Sequence, residues 1–171
     1  MQIGNTTINL GSDALNQAFC NEVYDSSGTP RSPLLLSLLQ SFAGTIIAAA
    51  QVAGSSNINT ITLSSAMLPG SGDTAQQLTW SRFAVVVAHE LGHAVLPYGA
   101  ANKDFPGSDL VKDAINPAAS ILIGERNESA ANAAEYIVAL QLRDTSLFAR
   151  NSDQIRLGKV LASDSTTQNG I

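Results

Sequence analysis

The chain has 171 residues, of which 44% are hydrophobic and only 13% charged, with a formal net charge of −5. That length is enough to bury a core, and residues 1–171 are read as a single domain. The acidic balance without a basic cluster excludes nucleic acid as an expected partner, and the lone cysteine, Cys20, excludes an internal disulfide.

Taken in chain order, the first elements are short. Thr6-Thr7-Ile8-Asn9-Leu10 reads as a β-like piece, and residues 13–23 as a short helix. Ser32-Pro33 is a helix start, with Ser as N-cap and Pro in the first turn. The helix is expected to run to about Ala53 and end at Gly54. No charged residue occurs from 32 to 72, and residues 34–53 have the length of a membrane span. Ser37, Gln40, Ser41, Gly44, Thr45 and Gln51 recur at helical spacing, however, and that polar stripe suits a long core helix.

Residues 59–64, Asn-Thr-Ile-Thr-Leu-Ser, alternate polar and apolar side chains as a half-buried strand does. Pro69-Gly70-Ser71-Gly72 is a loop. Thr79 or Ser81 caps the next helix, and Pro97 is expected to end it. Residues 98–106 read as a loop and 108–115 as a short helix. Asn116-Pro117 is another helix start, and a further helix runs from about Glu125 to Arg143. A short helical piece over 153–162 and a Ser/Thr-rich tail follow. The expected class is α+β, mostly helical, with a small sheet.

Chemistry concentrates in His89-Glu90-Leu91-Gly92-His93, which holds both histidines of the chain. Residues four apart share a helical face, so the two imidazoles can reach one metal ion. Glu90 is turned by about 100° from His89, which sets its carboxylate beside the metal. This HExxH pattern is the zinc-peptidase signature: two neutral nitrogen ligands and a general base. The apolar run Val85-Val86-Val87-Ala88 before it argues against a chance motif, because a buried helix would otherwise hide three polar side chains without partners.

A catalytic zinc takes three protein ligands as a rule and keeps one position open. With no third histidine, the third ligand is a carboxylate or, less simply, Cys20. The chain has five glutamates, and three of them, Glu125, Glu128 and Glu135, lie in one segment. Asp104, Asp109 and Asp113 are further candidates. The metzincin pattern is excluded, because Leu96 and Gly99 stand where its glycine and third histidine would be.

Two short motifs, around residues 85–98 and 124–143, resemble the gluzincin metallopeptidases of the thermolysin type. There, HExxH is followed by a helix reading GxxNExxxD. This chain reads Gly124-x-x-Asn127-Glu128-x-x-x-Asn132, with Asn in place of Asp. The resemblance implies a zincin-like domain in which His89, His93 and Glu128 bind Zn2+. It also implies that Glu90 is the catalytic base and that Asn132 orients His89 by hydrogen bonding. Glu125 stays a rival ligand, and Glu135 is read either as a partner of the site or as a partly solvated helix carboxylate. The Glu128-x-x-x-Asn132 stretch is also similar to the Glu helix of ImmA/IrrE-type peptidases. The thermolysin type places its two motifs closer together and has a downstream oxyanion-binding histidine with no counterpart here. Tyr98, Tyr136, Arg126 and Arg143 are candidates for that role.

The implied function is zinc-dependent hydrolysis of peptide bonds in a peptide or protein substrate, cell-wall peptide included. In zincin folds substrate adds to a sheet edge beside the HExxH helix, and residues 59–64 are the candidate edge. In outline the chain looks similar to bacterial effector metallopeptidases, toxins delivered by specialised secretion systems, and an inhibitor or immunity partner would fit that setting. The alternatives are an ImmA-like regulatory peptidase and a non-catalytic zinc-binding interaction module. No membrane span is expected. Met1-Gln2-Ile3-Gly4-Asn5 lacks the basic start and apolar segment of a secretory signal, so the expected locations are the cytoplasm or outside the cell by a signal-independent route.

Overall fold

The computed structural model describes residues 1–50, 59–96 and 117–144, with side chains of the last stretch described from residue 128 onward. Two short strands, β1 (Gln2–Ile3) and β2 (Thr6–Asn9), precede helices α1 (Asp13–Val23) and α2 (Pro33–Ser41). Strands β3 (Thr45–Ala49) and β4 (Thr60–Ser64) follow, then a 3-10 turn at Ser65–Met67, α3 (Trp80–Val95) and α4 (Pro117–Leu142). The architecture is α+β. The sheet is mixed, in the order β1-β2-β3-β4, with β1 antiparallel to β2 and the other two pairings parallel.

Local signals account for most element starts. Ser12 caps α1 by accepting from Leu15 N, Ser32 caps α2 by accepting from Leu35 N, and Thr79 caps α3 by accepting from Arg82 N. In β4, Ile61 and Leu63 are buried between partly exposed Thr60, Thr62 and Ser64, as the alternation requires. Among the described strands β4 pairs only with β3, so its other edge carries no described partner. The predicted features at Pro97, 98–106, 108–115 and 153–162 lie outside the described residues.

The long core helix expected from Pro33 to Ala53 does not form. Helix α2 stops at Ser41, and the chain turns into β3 at the centre of the sheet. Three causes converge. The buried Thr6 hydroxyl sits 2.6 Å from Leu39 O and 2.9 Å from Phe42 O, satisfying carbonyls that end the helix. A side chain at Gly44 would meet Asn59 O at 2.5 Å, so glycine alone permits the close backbone approach that starts strand pairing. Thr45-Ile46-Ile47 is a β-branched run that favours extended backbone, and its partners in β2 and β4 are remote in sequence. A periodicity argument weighs only neighbours along the chain and misses such pairing.

Helix α4 also differs from expectation. The start at Pro117 and the Glu-bearing helix are one 26-residue element, uninterrupted at Gly124. It ends in a Schellman arrangement, in which Asp144 N donates to Ala139 O, Arg143 N donates to Leu140 O, and Arg143 adopts φ 57°. The Ser32 hydroxyl donates to Gln141 Oε1 at 2.6 Å and ties this end to the start of α2. Among the described residues no helix is long and apolar enough to cross a membrane.

Among the described elements, helix α3 packs against α1, α2 and α4. Phe83, Ala84, Val85, Val87, Ala88 and Leu91 are all fully buried. Phe83 meets both Phe19 of α1 and Trp80 edge to face, with ring centroids 6.0 and 5.8 Å apart. At about 1.5–3 kcal/mol for each large side chain buried, this face holds α3 rigidly and sets where its polar residues emerge.

Candidate metal centre

The site forms where α3 and α4 cross, and a glycine sets how closely they approach. A Cβ at Gly92 would lie 2.7 Å from Ala131 Cα and 3.3 Å from Ala134 Cβ. With no side chain at 92 and alanines opposite, the helix backbones come close enough for a short glutamate on α4 to reach histidines on α3. The helices run in opposite senses, since Arg82 meets Glu135 while His93 meets Glu128.

Three predicted ligands converge there. His89 Nε2 and His93 Nε2 are 3.1 Å apart, with the rings nearly perpendicular at 84°. Glu128 places Oε1 3.6 Å from His93 Nε2 and Oε2 3.9 Å from His89 Nε2. Tetrahedral coordination with bonds of about 2.0–2.1 Å puts neighbouring donors about 3.3–3.4 Å apart. The observed separations bracket that value, and the donor set of two imidazoles and a carboxylate suits a divalent cation. His89, His93 and Glu128 can therefore hold a metal ion. Glu128 is 62% exposed, so the group opens towards solvent. Glu90, next to His89 on α3, is half-buried.

Behind His89 stands a second carboxylate. Glu135 Oε2 lies 3.2 Å from His89 Nδ1, a close but bent contact, and its Oε1 is 3.1 Å from Arg82 Nη2. Glu135 raises the imidazole of His89 above its ordinary pKa, against the opposing effect of partial burial. Burial of the Glu135 carboxyl works against its ionisation, but His89 and the Arg82 charge outweigh it and hold the group below the usual carboxylate range.

Asn132, the expected partner of His89, sits on the exposed side of α4, and Glu135 occupies the position at Nδ1 instead. Helical geometry explains this. A residue seven positions after Glu128 is only about 20° from it around the axis, whereas one four positions after is about 40° away on the other side. Ala131, Ala134, Glu135 and Val138 form the buried stripe, and Asn132 falls outside it. The side chains of Asp104, Asp109, Asp113, Glu125, Tyr98 and Arg126 lie outside the described residues. Cys20 is partly buried on α1 against the core and is not among the converging donors. Tyr136 packs against the core, and Arg143 is exposed beyond the end of α4. Arg82 escaped the sequence reading, although it precedes His89 by two helical turns and so shares its face.

No protein-family model, curated protein or solved structure matches this chain.

Proposed function

We infer that this protein is a zinc-dependent metallopeptidase whose centre comprises His89, His93 and Glu128, with Glu90 as general base. The observation that carries the reading is the convergence of three donors, at zinc-compatible separations, on an HExxH helix whose Glu90 is no ligand. Zinc bound there would supply Lewis acidity, polarising a carbonyl and lowering the pKa of a coordinated water towards ~7. In this reading the protein's own residues each have a part. His89 and His93 act as neutral nitrogen donors, Glu128 adds one negative charge, and Glu90 takes the attacking water's proton and returns it to the leaving amine.

A gluzincin-type enzyme fits the motif order, and a bacterial secreted effector is the proposed setting, on the chain's likeness to such enzymes in outline alone. The edge of β4 is the proposed place for an extended peptide or protein substrate. A non-catalytic zinc module is the second reading. One observation favours the enzyme: Glu128 is largely exposed, so the three-donor group is open to solvent on that side, as a site that admits substrate must be. A module also has no use for Glu90.

The test is proteome-wide cleavage by wild type against Glu90→Gln at matched zinc content, with cell-wall peptides offered in parallel. Loss of cleavage in the variant, with metal retained, is the expected result. Identical patterns, or no cleavage by zinc-loaded wild type, would favour the module.

A further inference from the structure

Outside the three donors, the described residues place a partly buried ionic chain in direct line with the centre. Arg82 and His89 are two turns apart on α3, and Glu128 and Glu135 are two turns apart on α4. The two helices thus present matched pairs, and the imidazole of His89 lies between two carboxylates. Glu128 faces its Nε2 and Glu135 faces its Nδ1. Glu135 is 8% exposed, and its two oxygens are divided: Oε1 to Arg82 and Oε2 to His89.

We propose that Arg82 is a positioning residue for the metal centre, acting through Glu135 to set the ring orientation and tautomer of His89. The inference rests on the metal-centre reading above and adds to it a residue outside the HExxH and Glu-helix motifs. A carboxylate this buried needs a fixed cationic partner, or it turns towards water or takes up a proton. By occupying Oε1, the guanidinium leaves only Oε2 for the imidazole. A carboxylate at Nδ1 keeps the proton on that nitrogen and leaves the Nε2 lone pair directed at His93 and Glu128. Lysine would keep the charge but lose the planar guanidinium that sets the carboxylate's orientation.

Cobalt(II) binding to the full chain tests this without reference to any substrate, using affinity by chelator competition and the visible absorption of the bound ion. Glu135→Gln is expected to weaken cobalt binding about 10–100-fold, the usual loss for an outer partner of a ligating histidine. Arg82→Met should give a loss in the same direction and a changed cobalt spectrum, with Arg82→Lys intermediate. Because Arg82 acts through Glu135, the double variant should bind no more weakly than Glu135→Gln alone.

Wild-type affinity and spectrum in Arg82→Met would overturn the proposal while leaving the metal centre intact. Losses that multiply in the double variant would overturn it too, since they mean independent action. Should Arg82→Met fail to fold, Arg82→Lys decides by the same measurements, and wild-type affinity and spectrum there sink the idea. A wild-type chain that binds neither cobalt nor zinc removes the metal centre itself and this inference with it.

Discussion

Glu128 and Glu135 stand two turns apart on one face of α4, and both approach His89, yet their surroundings are opposite. The Glu128 side chain is 62% exposed and faces the Nε2 atoms of two histidines, whereas that of Glu135 is 11% exposed and is held between Arg82 and Nδ1. Type and spacing are the same, so environment separates the roles. A carboxylate open to solvent can bind a cation without disturbing the packing, while a buried one is committed to the partners that offset its desolvation. The open end of the α3–α4 interface is therefore suited to holding a metal and the closed end to orienting the ligand.

The sharpest break in this comparison comes from the open end. His93→Ala should abolish stoichiometric zinc binding, measured as metal content after dialysis. His93 lies at a partly exposed position outside the main core, so circular dichroism should show the helical fold retained. A variant that keeps its zinc would mean that the metal sits elsewhere.

Exchanging each carboxylate for its amide should separate affinity from stability. Glu128→Gln removes a charged donor from an exposed position, and is expected to weaken zinc binding by more than the loss at Glu135 while leaving metal-free stability nearly unchanged. Glu135→Gln should instead destabilise the metal-free protein by about 1–3 kcal/mol, because Arg82 loses its buried partner. Chelator competition and urea unfolding measure the two effects, and a reversed pattern would refute the division of roles.

Gly92→Ala tests the approach of the helices. The added methyl would sit 2.7 Å from Ala131 Cα, a backbone atom that cannot move alone. Overpacking at that contact should cost about 1–3 kcal/mol and lower metal affinity by withdrawing Glu128 from the histidines. Unchanged stability would show that α4 is positioned by its other contacts.

The smallest effect is on acidity. The pKa of His89 is raised above its ordinary value chiefly by Glu135, so protons compete for the site from a higher pH than at an ordinary imidazole. Metal affinity should fall as pH drops through that raised value. In the metal-free protein, the stabilisation from charged His89 is fully present below its unfolded pKa and is lost as pH rises through the folded one. The contribution of Glu135 runs the other way and is lost as pH falls through its depressed value. In Glu135→Gln the midpoint of the metal-binding curve should move to lower pH, which a zinc titration across pH 5–8 would reveal.

Residue type and short-range spacing determined a good deal by themselves. Ser32 marked a helix start and Thr79 was one of two candidate caps for the next helix, the alternation through Ile61 and Leu63 marked a strand, and His89 with His93 and the GxxNE segment picked out three side chains that do converge. Each of these signals is local, because a cap, a pleat or a helical face is specified within a few residues. The tertiary structure decided what lies beyond that range. Residues 45–49 became a central strand because β2 and β4 offered pairing, and Asn132 yielded to Glu135 because the helix crossing at Gly92 buries one side of α4 and leaves the other in solvent. Arg82 matters only because a carboxylate 53 positions away, Glu135, is buried beside it. Burial and long-range pairing are properties of the packed helices and sheet, and no window along the chain contains them.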